Sequence, residues 1–213
     1  MNELADGIDF HEKTEDLTQI QALAYSQYIT ACLANVHGID GINNTSITHA
    51  DLHLENIWFV DGLPKIADFG NAKLLEWNVT ANKRCDFVVK GDRKGMFFYR
   101  SPEVETSAMI NDESRDLYQL AYILGTILHN GYEPYDIDED EAMKLKLKGI
   151  LPRFNKKYEK SDDPGIRAVV RAIKALFSVK PEDRPRAWQV AKDFKENMPW
   201  KDINEVIDVI IDA

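Results

Sequence analysis

The chain has 213 residues, enough for one sizeable domain and short for two, and its 44% hydrophobic and 29% charged residues exclude a disordered polymer. Its formal net charge of −10 is spread along the chain, which argues against nucleic-acid phosphates and anionic lipid surfaces as partners. Cys32 and Cys85 stand far apart without metal-ligand spacing, no apolar run reaches membrane-span length, and the first residues lack a leader pattern. The expectation is an intracellular protein, cytoplasmic or nuclear, with reduced thiols; the Asn-x-Ser/Thr triplets at Asn43, Asn44 and Asn78 are then chance matches.

In chain order, Ile20, Ala24, Tyr28, Cys32 and Val36 recur at four-residue steps with Ile29 and Leu33 beside them, which predicts a buried helix ending near His37-Gly38. Two short apolar runs follow, Ile57 to Val60 and Leu63 to Ala67. The Asp61-Gly62 pair between them predicts a hairpin whose two turn residues both take positive φ. Asn71 to Ser101 is polar and irregular and reads as a long loop with a function. Three helical stripes come next: Leu117 to Leu128 with a stop at Asn130-Gly131, Ile166 to Phe177, and Ala187 to Phe194 behind Pro185. A last stripe runs from Ile203 to Ile211. No repeat or flexible linker divides the chain, so one domain over 1–213 is expected, mainly α with a small β-hairpin.

The chemistry gathers around the hairpin. His49-Ala50-Asp51-Leu52-His53-Leu54-Glu55-Asn56 precedes it and Asp68-Phe69-Gly70 follows it. A carboxylate and an amide at one end, with a second carboxylate at the other, suit phosphoryl transfer. One carboxylate accepts the hydroxyl proton, and the other oxygen donors hold a magnesium ion that bridges phosphates.

These motifs, in this order and spacing, resemble the protein kinase family, and the resemblance covers almost the whole chain. It implies a protein-kinase-like C-terminal lobe that uses ATP and Mg²⁺. By that resemblance Asp51 is the catalytic base, Asn56 and Asp68 are the metal ligands, and His49, Phe69 and Gly70 shape the motifs around them. Residues 1–10 resemble the hinge, so Glu3 and Ala5 are placed at the adenine edge, Asp9 at the ribose and Trp58 against the adenine face. The span 49–70 carries the catalytic loop, hairpin and metal motif, 68–103 the activation segment, and 104–213 the helical remainder. Gly95 to Glu103 resembles the end of that segment, Asp116 the residue that holds the catalytic-loop backbone, and Arg184 the late arginine that pairs with Glu103. Without the resemblance, Glu103 and Arg184 read as two solvated charges, Asp9 as an exposed acid and Trp58 as a core aromatic.

The sequence also departs from the family pattern. It holds no glycine-rich phosphate loop, no strand lysine and no partner helix glutamate, all of which belong to the N-terminal lobe. The expectation is a chain that alone is inactive or nearly so. Ala50 replaces the arginine that reads an activation-loop phosphate, His53 stands for a lysine, and Met96 for a threonine. Three functions stay open: a protein kinase acting on a protein hydroxyl, Ser/Thr by preference; a noncatalytic scaffold that docks a protein partner; and a small-molecule phosphotransferase, which the His-x-Asp-Leu-His string resembles. With the N-terminal lobe gone, Trp58 and Phe69 form a sticky face through which the chain could self-associate.

Overall fold

The computed structural model describes residues 10–38, 47–75, 77–78, 80, 83–84, 97–106, 113–132, 134–135, 137–152 and 154–211. Glu3, Ala5, Asp9 and Met96 lie outside the described residues. The architecture is mostly helical with small antiparallel strand pairs.

Helix α1, Phe10–Thr14, seats Phe10 in the core, its ring 5.6 Å from both Tyr25 and Phe59. Helix α2, Gln19–His37, starts at a capping box: Gln21 N–H donates to the Thr18 hydroxyl, and Thr18 N–H donates to Gln21 Oε1. It ends where expected, with Gly38 N–H donating to Ala34 O. The buried face matches the expected one in part, with Ala24 fully buried. Ile29 and Leu33 are sealed in, whereas Ile20 is 52% exposed and Tyr28, Cys32 and Val36 are half-buried. A four-residue step overshoots the helical repeat by about 40° each time, so that column drifts across the helix instead of following its apolar side.

Strand β1, Ile47–Thr48, leads into the loop before the hairpin of β2, Ile57–Val60, and β3, Leu63–Ile66. The hairpin has the expected turn, with φ of 53° at Asp61 and 75° at Gly62, and register Val60 to Leu63 through Ile57 to Ile66. The segment expected to be irregular contains strands: β4, Lys73–Leu74, pairs with β1, and β5, Trp77–Asn78, pairs with β6, Lys83–Arg84. Two-residue ladders are too short to leave an alternating pattern in the sequence.

Helix α3, Pro102–Thr106, precedes α4, Ser114–Leu128, which is buried on all sides and not only along its leucine stripe. Its stop is as expected, with φ of 53° at Asn130 and 83° at Gly131. Helices α5, Glu139–Leu147, and α6, Lys156–Glu159, lead to α7, Pro164–Leu176, capped by Asp163 with Pro164 in its first turn. Helix α8, Ala187–Asn197, and α9, Ile203–Ile211, complete the chain. The α2 helix packs on α8 and α9, and α4 packs on α7. Strands β1 and β3 pack on α2, and the candidate chemistry is built on the loops that join them.

Candidate active site

The anchor is Asp116, in the first turn of α4 and fully buried. Its Oδ2 accepts from His37 Nε2 at 2.9 Å, the Thr48 hydroxyl at 3.0 Å and His49 N–H at 2.7 Å, and its Oδ1 accepts from Ala50 N–H at 2.8 Å. One carboxylate thus ties the end of α2, strand β1 and the start of the 49–56 loop to α4. Ala50 sits at φ 65°, a left-handed conformation that Ala adopts only under tertiary restraint, and its bond to Asp116 supplies that restraint. One α-turn further on, Gln119 Oε1 accepts from Leu52 N–H at 3.0 Å.

Burial alone pushes the Asp116 pKa up. The hydrogen bond and charge of His37 and the N–H groups of His49 and Ala50 outweigh it and hold the carboxyl below its ordinary value. A carboxyl depressed in the folded state stabilises the fold above the ordinary aspartate range near about pH 4, and that stabilisation is lost as pH falls through the lower folded value. The expected result is an acid limb of the urea midpoint that is steeper in the wild type than in Asp116→Asn below about pH 4. Parallel acid limbs would remove Asp116 from the set of acid-sensitive groups.

Asp51 follows directly. Its Oδ2 accepts from Asn71 Nδ2 at 3.0 Å, while its Oδ1 is shielded from solvent and meets no donor. Its N–H donates to His49 Nδ1 at 3.3 Å, and His49 Nε2 donates to Ala67 O at 2.8 Å, which fixes the tautomer of that ring. The loop before the hairpin is thereby fastened to the residue that precedes Asp68. Phe69 stacks edge-on against His49 with centroids 4.8 Å apart, yet is 44% exposed.

Asn56 is buried in the short turn before β2. Its Nδ2 donates to Asp51 O at 2.8 Å and to His53 Nε2 at 2.9 Å, so both amide hydrogens are committed and the amide oxygen is left for a ligand. Ala67 N–H donates to Asn56 O at 2.8 Å and closes the frame. Burial lowers the His53 pKa against the opposing pull of Asp51 and Glu55, which favours the neutral ring that Asn56 requires. Asp68 lies at φ 55° and is exposed, with Oδ1 accepting from Gly70 N–H at 3.1 Å. Among the described residues no three His, Cys, Asp or Glu side chains cluster as a metal site. One aspartate and one asparagine would suit a hard ion such as Mg²⁺, which takes oxygen donors.

Of the other expected residues, Trp58 is 48% exposed on β2, with Nε1 donating to Glu55 O at 2.9 Å. Glu103 and Arg184 meet in a bidentate pair, Nη1 to Oε1 at 2.7 Å and Nη2 to Oε2 at 2.7 Å. The roles of His37, Thr48, Asn71 and Gln119 escaped the sequence reading, although Gln119 lies one α-turn from Asp116 on the same face of α4. No described helix is long and apolar enough to cross a membrane.

The family model described as protein kinase domain matches residues 1–194. Over 171 residues the chain is 30% identical to the "Interferon-induced, double-stranded RNA-activated protein kinase" of Mus musculus, covering 80% of this chain and 29% of that protein. Over 145 residues it is 28% identical to the "Putative serine/threonine-protein kinase" of Saccharomyces cerevisiae, covering 68% of this chain and 14% of that protein. The chain therefore spans less than a third of the length of these relatives. With a family model matched over most of its length, the chain belongs to the protein kinase family.

Proposed function

We propose that the chain is the catalytic-loop and acceptor-binding half of an ATP-dependent protein kinase. It transfers the γ-phosphoryl group to a protein hydroxyl, Ser/Thr by preference, when an N-terminal lobe completes the nucleotide site. The observation that carries this reading is the hydrogen-bonded frame that links Asp51, Asn56 and the residue before Asp68 through His49 and Ala67. In the proposed step the acceptor oxygen attacks the γ-phosphorus, the bond to the bridging oxygen breaks, ADP leaves, and the hydroxyl proton passes to Asp51 Oδ1. Asn56 and Asp68 would hold Mg²⁺, which supplies charge neutralisation on the phosphates. Trp58 would meet the adenine, as Glu3, Ala5 and Asp9 would meet its edge and the ribose.

The seated Glu103–Arg184 pair supports a protein kinase over a small-molecule phosphotransferase, because it anchors the segment that resembles a protein-acceptor platform. A second reading, a noncatalytic scaffold, draws on the half-exposed Trp58 and Phe69, an apolar face for a partner or a second copy. Incubation of the full-length protein with γ-labelled ATP, Mg²⁺ and panels of protein and small-molecule acceptors separates the readings. Labelled serine or threonine in protein is the expected result. Label confined to small molecules, or nucleotide binding without any transfer, overturns it in favour of one alternative or the other.

A further inference from the structure

One side chain outside this site stands out by chemistry. Lys146, near the end of α5, is 1% exposed. A lysine ammonium stays in a protein interior only where acceptors replace its water. Here the side chain passes the rings of Tyr135 and Tyr118, with Nζ 5.4 and 5.7 Å from their centroids. It ends on two backbone carbonyls of another segment, donating to Phe98 O and, at 3.3 Å, to Arg100 O. Burial raises the Tyr118 pKa well above the ordinary phenol value and that of Tyr135 to about 12, so the ammonium faces neutral π-clouds.

The segment it grips is the one that passes the catalytic loop. Tyr99, between the two held carbonyls, packs its ring 5.9 Å from that of His53, which in turn accepts from Asn56. Three residues beyond Arg100, Glu103 is held by Arg184, whose guanidinium lies 5.0 Å from the same Tyr118 ring. Two cations that share one aromatic ring therefore fasten the two ends of residues 98–103. We propose that Lys146 is a positioning residue for the acceptor: it sets the course of the 98–103 segment past Asp51 and so the surface on which the acceptor protein lies. This rests on the reading of the chain as a protein kinase.

The test compares the full-length wild type with Lys146→Met, which keeps the stem and removes the donor. The readouts are steady-state transfer to the acceptor labelled in the assay above and amide hydrogen exchange. The expected result is an acceptor KM raised roughly tenfold, the scale of lost charge-assisted hydrogen bonds, with the KM for ATP unchanged. Exchange protection should fall at residues 98–103 and persist in α7 and α8. Wild-type values for both acceptor KM and exchange at 98–103 would overturn the proposal. If the wild type transfers no phosphate, the kinase reading fails by itself, and the exchange comparison still decides whether Lys146 holds the segment. Should K146M not fold, Lys146→Gln is judged by the same two criteria.

Discussion

Asp51→Asn in the full-length protein is expected to lower kcat for phosphoryl transfer about 10²–10⁴-fold, the range for loss of a general base, and to leave the KM for ATP unchanged. Asparagine matches aspartate in volume and can still accept from Asn71 through its amide oxygen, so the frame built on Asp51 O and Asp51 N–H survives the change. What disappears is the negative oxygen that meets no donor in the folded chain. That oxygen is the one acceptor position of the side chain which no donor of the folded chain occupies. Steady-state kinetics with both substrates varied makes the distinction. Turnover equal to wild type would take Asp51 out of the role of base.

Arg184→Ala or Glu103→Ala should each destabilise the fold by about 3–5 kcal/mol, because either takes the bidentate partner from a buried charge. The Arg184 side chain is 0% exposed and that of Glu103 8%, and the guanidinium also donates to Ser178 O at 2.9 Å and Ser114 O at 2.8 Å. Removing Glu103 takes the carboxylate from the buried cation, whereas removing Arg184 also leaves those carbonyls without this donor. The double variant Arg184→Met/Glu103→Leu should recover much of the loss, since the stranded charge causes it rather than the absence of attraction. Denaturant midpoints for the two single variants and the double variant measure this directly. Single losses below about 1 kcal/mol would mark the pair as a solvated contact.

The parts of the site that were legible in the sequence are those fixed by short local rules. Asp61-Gly62 dictates its turn, and the 49–56 and 68–70 motifs flank the hairpin because the hairpin brings its own ends together. Glu103 and Arg184, separated by 81 positions, were paired by resemblance, since nothing in either residue alone separates a buried ion from a solvated one. The buried face of α2 was legible at Ala24, Ile29 and Leu33 but not along the rest of the four-residue column, which diverges from an apolar helical face within a few turns. His37 and Lys146 were illegible for another reason. A histidine at a helix end and a lysine in a lysine-rich helix both read as solvated, and only tertiary packing supplies the acceptors that make burial tolerable. The short strands between residues 73 and 84 are likewise set by their partners and not by their own composition.

In the function proposed above, Asn56 and Asp68 would hold the metal through which this site takes a nucleotide. Calorimetric titration of ATP into the full-length protein, with and without Mg²⁺, for wild type and Asp68→Asn, tests it most directly. Mg²⁺ is expected to tighten ATP binding in the wild type and to have no effect in the variant, whose helices should remain intact by circular dichroism. Mg²⁺-dependent binding retained in Asp68→Asn would contradict it.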